Sequence, residues 1–462
     1  MIRNPRVKDM AERLAIDGGN PAVPKQLVEH NWQRYRKATQ EEKDTVAAVL
    51  DGGLLGIAAG KGLPNTAALE TEFAEWVGTE YCVVVDSGTA GLHCAHSAVG
   101  VGPGDEVIVP AFTFIASAMA SIYCGAVPVF VDIDPETYLI DPDKIEAKIT
   151  ERTKAILPVH VYGLPCDMDR IKRIAAKHDL AVIEDSAQAF GARYQGEKTG
   201  TLADIAAFSM STTKQLMCGT GGMVTTDSEE IYQHACGMRQ YGETGDLSIS
   251  SQAYQTEGIG WNYKLNEMVS ALARVKLRHL NEYTACAQKL CGQLTERLRP
   301  IEGLSAPHVP PDRTHSYYYF PVQVHPERLQ LDMEPGKLRA AVMQALNAEN
   351  VVVSGWQTSP IPAQLSFQKQ NDPKTRSHPW NHHGGDVVYD IDEYPHSWAS
   401  LENSFIVWQL TQPSTLELVE RYGDAFEKVF ANIERVVEIY ESTNQYVPLA
   451  VRKDEYRVSI SV

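Results

Sequence analysis

Residues 107 to 131, VIVPAFTFIASAMASIYCGAVPVFV, run for 25 positions without a charged side chain. A stretch that long and apolar is able to cross a bilayer as a single helix, so how it is interrupted decides what the rest of the chain can be. Pro110, Gly125 and Pro128 cut it. The pieces VIVP, FIASAMASIYC and PVFVDID have the lengths of a strand, a helix and a strand. The spacing therefore predicts a buried βαβ unit rather than a membrane span.

The same rhythm continues on either side. YCVVV (81–85), KAILPVH (154–160), LAVIED (180–185) and IAAFSMS (205–211) read as buried strands, and DMDRIKRIAAKH (167–178) as an amphipathic helix. Apolar strands alternating with helices predict an α/β fold with a mostly parallel sheet covered on both faces. After Gly222 the pattern changes. Residues 263–300 read as one long helical run, RPIEGLSAPHVPPDRTH as a linker, SYYYFPVQVH as a strand, EPGKLRAAVMQALNAEN as a helix, and STLELVERYGDAFEKVFANIERVVEIY as a final long helix. At 462 residues the chain exceeds the usual size of one core. The expected division is an N-terminal segment 1–45, a large domain 46–285 and a smaller α+β domain 286–462.

Charge narrows the partners. Lys and Arg total 42 against 59 Asp and Glu, a formal charge of −17, which disfavours nucleic acid and anionic membrane. Eight cysteines are scattered without a C-x-x-C pair and read as reduced thiols. The opening MIRNPRVKDMAERLAIDGG is interrupted by charge and has no apolar core of a signal peptide, so a cytoplasmic location is expected.

In a doubly wound sheet, ligands collect at the carboxyl ends of strands, and three groups of residues fall there. Ser87-Gly88-Thr89 end the first strand and open a helix, whose free N–H groups make a seat for phosphate, or simply a capped helix start. Asp185 follows the strand VIE directly; it reads as a carboxylate wanting a cationic partner, or as a helix cap. Lys214 follows IAAFSMS, between Ser209, Ser211, Thr212 and Thr213 and the glycines 219, 221 and 222. An ordinary lysine there is a solvated loop residue; one held at a buried strand end is a nucleophilic amine able to form Schiff bases. Together they supply the handles that pyridoxal 5'-phosphate requires.

The motifs SGTAGL, GDEVIVPAFTFIASAMA, PVFVDIDPETYLID, ILPVHVYGLPCDMDRI, IEDSAQAFGARYQGEKTGTLADIAAFSMSTTK, GTGGMVTT and IGWNYKLNEMVSALARVKL, in this order, closely resemble the DegT/StrS family of sugar and cyclitol aminotransferases. The likeness spans residues 30 to 285 well and the remainder loosely. It implies the fold type I architecture of pyridoxal-phosphate enzymes, with a seven-stranded sheet. It also implies Lys214 as the Schiff-base lysine, Asp185 as the partner of the pyridine nitrogen, Gln188 against the ring and its 3'-oxygen, and Phe114 as the stacking aromatic. Gly88, Thr89 and Ser209 fall at phosphate contacts from the same subunit. Asn262 falls at a contact to the neighbouring subunit's phosphate, which implies a homodimer with shared sites.

The activity so implied is transfer of an amino group from L-glutamate or L-glutamine to a keto-sugar, nucleotide keto-sugar or keto-cyclitol. The leader LAIDGGNPAVP is similar to one seen in cyclitol and antibiotic-pathway members. Lysine at position 214 favours this over dehydration, since some members carry histidine there. Dehydration, epimerisation or carbon–carbon bond formation on the same cofactor remains an alternative. A non-catalytic regulatory member is another, whose mark would be loss of Lys214 or Asp185. Lys264 stands where arginine is common and Thr220 where an acidic residue is usual. Residues 366–400 depart most from the family pattern and are expected to choose the acceptor. Their His378, His382, His383, Asp386 and Asp390 are irregularly spaced and read as solvated or substrate-lining rather than as metal ligands. Arg239 reads first as a surface arginine and second as a clamp for the donor carboxylate. Tyr317, Tyr318 and Tyr319 read as packing on alternate faces of a strand.

Overall fold

The computed structural model describes residues 13–32, 37–53, 55, 63–243, 256–385, 387–444 and 446–456. The large domain is built on β1 (Tyr81–Val85), β2 (Glu106–Pro110), β3 (Val127–Val131), β4 (Thr153–Ile156) and β5 (Ala181–Asp185). A short ribbon of β6 (Arg193–Tyr194) and β7 (Glu197–Lys198) follows, and then β8 (Ile205–Ser209) and β9 (Gly222–Thr226) return to the sheet. The seven-stranded sheet has the order β1-β9-β8-β5-β4-β2-β3. From β8 to β3 every pairing is parallel, whereas β9 runs antiparallel to both neighbours. Because β9 is reversed, its glycine-rich start lies at the same edge as the carboxyl ends of the others.

The uncharged stretch resolves as β2, the helix Ile115–Tyr123 and β3. Val107, Ile108 and Val109 are fully buried, as expected for a parallel strand covered on both faces. No helix among the described residues is long and apolar enough to cross a membrane.

The smaller domain adds β10 (Leu304–Ser305), β11 (Arg313–Thr314), β12 (Phe320–Val324), β13 (Val353–Ser354) and β14 (Ser404–Val407). Four of these form a second sheet, β10-β12-β14-β13, while β11 joins β6 and ties the two domains together. Leu338, Val342 and Leu346 of the helix Pro335–Ala348, and Phe426 of the helix Leu416–Ala431, fill its core against Phe405 and Val407. Leu14 and Val23 belong to that same core. The leader is fixed there because the buried Glu349 carboxylate accepts the backbone N–H groups of Ala15 (2.8 Å) and Ala22 (2.7 Å) and the Lys428 ammonium (3.0 Å). The next helix, Gln40–Gly52, instead joins the large domain through Glu42 and Lys276 (2.7 Å).

Several elements differ from the sequence expectation. β4 stops at Ile156, before Pro158. The run 263–300 divides at His279 into Glu267–Arg278 and Leu280–Leu298, and the last long helix divides at Asn432. The linker after residue 299 carries β10 and β11. Tyr317, Tyr318 and Tyr319 precede β12 rather than alternate along it, with Tyr317 in the left-handed region at φ 50°.

Residues 366–400 pack along the β3 edge of the sheet. Phe367 and Tyr389 pack edge-on against Phe130 of β3 at 5.1 and 5.5 Å. The Tyr389 hydroxyl donates to the Pro128 carbonyl (2.9 Å), and His383 Nε2 lies 3.1 Å from Glu106 Oε1. Pro128 and Glu106 stand toward the amino ends of their strands, while the Ser397 N–H donates to Asp132 Oδ1 (2.9 Å) just beyond the carboxyl end of β3, so this stretch covers the sheet edge from one end to the other. His378, His382 and Asp390 are exposed, His383 is buried, and Asp386 lies outside the described residues.

Candidate active site

Strand order brings the three predicted groups to one edge. Asp185 ends β5, its neighbour β8 leads into Lys214, and the start of β9 bridges from Gly221 to Ser87 after β1. Asp185 is buried. Its Oδ2 accepts a hydrogen bond from Ser117 Oγ (2.7 Å) and its Oδ1 one from the Ala187 N–H (3.1 Å). The Thr113 and Ser117 hydroxyls are 3.0 Å apart and extend the chain. Burial raises the Asp185 pKa, while Ser117, Ala187 and the Lys214 charge hold it down. A carboxylate kept from water but given donors in this way is suited to binding a second, cationic hydrogen-bond donor.

Lys214 is the complementary group. Burial lowers its pKa to about 8, against the pull of Asp185, so near neutrality a usable fraction of the amine is unprotonated. Its Nζ lies 4.4 Å from the ring centroid of Tyr318. The following residue, Gln215, donates from Nε2 to the Gln188 carbonyl (2.7 Å) and to Ser316 Oγ (3.2 Å). Gln188 is itself oriented by the Tyr162 N–H, which donates to Oε1 at 2.8 Å.

The helix Gly88–Ala98 begins at Ser87, whose Oγ accepts the Ala90 N–H (3.1 Å). Two glycines make the loop pass close to its neighbours. A Cβ on Gly88 would stand 2.6 Å from Ser209 Cβ, and one on Gly222 would stand 2.4 Å from the Ser87 carbonyl oxygen. Backbone N–H groups, not side chains, thus face the seat at the helix start, as a phosphate requires. Thr220, which had no assigned consequence, donates from its hydroxyl to the Asp86 carbonyl (2.7 Å) and braces the glycine turn against this loop. The residues present fit pyridoxal 5'-phosphate at both ends: an amine and a buried carboxylate at one, a glycine-lined helix start with hydroxyls at the other.

Of the predicted residues, Gly88, Thr89, Asp185, Gln188, Ser209 and Lys214 gather at this edge. Phe114 caps the helix Ile115–Tyr123 just beyond β2 and is 54% exposed. Asn262 stands apart on an exposed segment, bridged to Gln240. Arg239 is neither a surface residue nor free for a donor. It is buried, paired with Glu70, and donates to the Val84 carbonyl (3.2 Å).

The sequence reading missed Ser117, Thr113, Gln215 and Tyr318. It also passed over Glu184, which precedes Asp185 and so faces the other side of the strand. There Glu184 accepts Ser186 Oγ (2.6 Å) and the Leu202 N–H (3.1 Å) and lies 3.1 Å from His160 Nε2. Ser117 sits inside the quoted FTFIASAMA motif, three residues beyond Phe114; its signal is the helical turn that brings it under β5.

A model of the DegT/DnrJ/EryC1/StrS aminotransferase family matches residues 36–383. The chain is 40% identical to GDP-perosamine synthase of Caulobacter vibrioides, over 55% of this chain and 68% of that one. It is also 40% identical to a UDP-N-acetyl-3-dehydro-alpha-D-glucosamine 3-aminotransferase of Acidithiobacillus ferrooxidans, over 66% and 77%. The structure of S. venezuelae DesV in complex with a ketimine intermediate superposes with a TM-score of 0.71 at 29% identity, covering 87% of this chain and 98% of that one. The chain belongs to the DegT/DnrJ/EryC1/StrS aminotransferase family.

Proposed function

We propose that this aminotransferase uses pyridoxal 5'-phosphate to move an amino group from L-glutamate or L-glutamine to the ketone of a nucleotide-linked sugar or a related cyclitol, in amino-sugar or antibiotic biosynthesis within the cytoplasm. The observation that carries the reading is the pairing of one half-buried lysine amine of lowered proton affinity with one buried, hydrogen-bonded carboxylate at the carboxyl edge of the sheet. The sugar acceptor is supported by the names of the relatives at 40% identity.

When bound, the cofactor supplies an aldehyde that condenses with amines and a ring that accepts an electron pair. Lys214 would hold the aldehyde end and Asp185 the ring nitrogen. Gly88, Thr89 and Ser209 would hold the phosphate, with Gln188 at the 3'-oxygen and Phe114 on the ring face. Asp185 as an anion keeps a proton on the nitrogen opposite it. The Lys214 amine, once free, takes the proton from the donor's Cα and returns one to the acceptor-derived carbon, a task for which a pKa near the working pH is best. Ser117 and Ala187 keep Asp185 ionised while it is shielded from water.

A homodimer with shared sites is part of the proposal. Phe114, Tyr123 and Trp261 are each more than half exposed and Ile259 is 87% exposed. His93 lies among Tyr123, Trp261 and Tyr263 at ring-centroid distances of 5.7 to 5.9 Å. This aromatic surface, next to Asn262, suits a second copy of the chain. Mixing Lys214→Ala and Asn262→Ala subunits should then restore activity above either alone.

The direct test is the absorbance of the cofactor-loaded protein. Mixing with L-glutamate or L-glutamine should bleach the wild type and leave Lys214→Ala unchanged, and nucleotide keto-sugars should then gain nitrogen. Bleaching of Lys214→Ala at the wild-type rate, or water loss from the sugar without nitrogen gain, refutes the reading.

A further inference from the structure

Tyr318 enters the site from the small domain. The left-handed backbone at Tyr317 turns the chain just before β12. Ser316 Oγ donates to the Gly163 carbonyl (3.3 Å), so the turn is pinned to the large domain. Tyr318 is thereby buried with its ring under the Lys214 amine, Nζ 4.4 Å from the centroid. Its hydroxyl is 2.8 Å from Thr213 Oγ1 and donates to the Tyr319 hydroxyl (3.3 Å). Gln409 Nε2, also from the small domain, donates to the Thr213 carbonyl (2.5 Å). The residue before Lys214 is thus held from two sides by the small domain.

We infer that Tyr318 is a positioning residue for Lys214, its ring face forming the place where the amine rests as an ammonium once it has taken the proton from the donor's Cα. This rests on the reading of Lys214 as the reactive amine. An aromatic face attracts a cation and not a neutral amine, most strongly where water is excluded. The contact therefore stabilises Lys214 only in its protonated state. The other ionisable groups around the amine are Asp185, with His160 near it in the loop after β4, and Tyr319 beyond Tyr318. Asp185 also favours the ammonium, but with cofactor bound that carboxylate would be taken up by the ring nitrogen. The tyrosine face would then remain as the contact that holds the proton on Lys214.

The test measures the protonation midpoint of Lys214 in the full chain stripped of cofactor, by trace acetylation from about pH 6 to 11 and quantification of the peptide that carries it. Two ring-free variants, Tyr318→Leu and Tyr318→Met, should lower the midpoint by about one unit, a tenfold loss of proton affinity. Tyr318→Phe keeps the ring but loses the Thr213 contact. It should leave the midpoint within about 0.3 units while lowering the melting temperature. A merely structural tyrosine predicts the opposite split, with all three variants melting lower and none moving the midpoint selectively. Equal midpoints in the ring-free variants and the wild type, or an equal shift in Tyr318→Phe, overturns the inference. Because no cofactor is present, this result is independent of whether Lys214→Ala abolishes bleaching, which decides the functional reading.

Discussion

Ser117→Ala probes the site through a single hydrogen bond. Ser117 and Asp185 are 1% and 4% exposed, and the hydroxyl donates to the carboxylate at 2.7 Å. A buried hydrogen bond to a charged group contributes about 1.5–3 kcal/mol. At about 2 kcal/mol, and about 1.36 kcal/mol per unit, its loss raises the Asp185 pKa by about 1.5 units. Burial has already placed that pKa above the ordinary carboxylate value, and Ser117 opposes the rise, so the two effects now add. On acidification the anion is lost at higher pH in the variant than in the wild type. The acid limb of kcat/KM for the amino donor, read from bleaching rates, should move up by about 1.5 units. Ser117→Thr keeps the hydroxyl and should restore most of the original limb. The linkage to stability has the opposite slope. A carboxyl with a raised folded pKa takes up its proton in the folded state first, so the cofactor-free chain loses stability as pH rises from the ordinary carboxylate value through the folded pKa, and the variant extends that window upward. Coincident acid limbs for wild type and Ser117→Ala would refute the role assigned to this bond.

Glu349→Ala leaves two backbone N–H groups and the Lys428 ammonium without their buried acceptor, so it should cost about 3–5 kcal/mol in a urea melt and open residues 13–23 to protease. Arg239→Ala breaks the buried pair with Glu70 and should destabilise by about 3–5 kcal/mol, while KM for L-glutamate in the folded fraction changes less than about twofold; a large selective rise in KM would restore Arg239 as a donor clamp. Gly88→Ala forces a Cβ to within 2.6 Å of Ser209, an overpacking of about 1–3 kcal/mol, and should weaken cofactor retention about tenfold or more in equilibrium dialysis.

Much of this was legible in the sequence because parallel strands buried on both faces must be apolar throughout, and the residue that follows each one must be at the ligand edge. That logic found Asp185 and Lys214. It failed where position depends on tertiary contact rather than on period. Tyr317–Tyr319 were read as strand because aromatic runs favour extended chain, yet the turn at Tyr317 sends Tyr318 to Lys214. Arg239 was read as exposed because arginine usually is, and only the fold brings Glu70 to it across 169 residues.

The anchoring of the leader by Glu349 has a consequence for how the molecule is made. Ala15 meets its acceptor across a separation of 334 residues, so on the ribosome it emerges long before that acceptor exists. The large sheet, whose strands all lie between Tyr81 and Thr226, has everything it needs to assemble while the leader is still waiting. Leu14 and Val23 should therefore be among the last side chains to find their places during synthesis, and a pause or a chaperone acting at that stage would meet an otherwise finished domain with its leader still unattached.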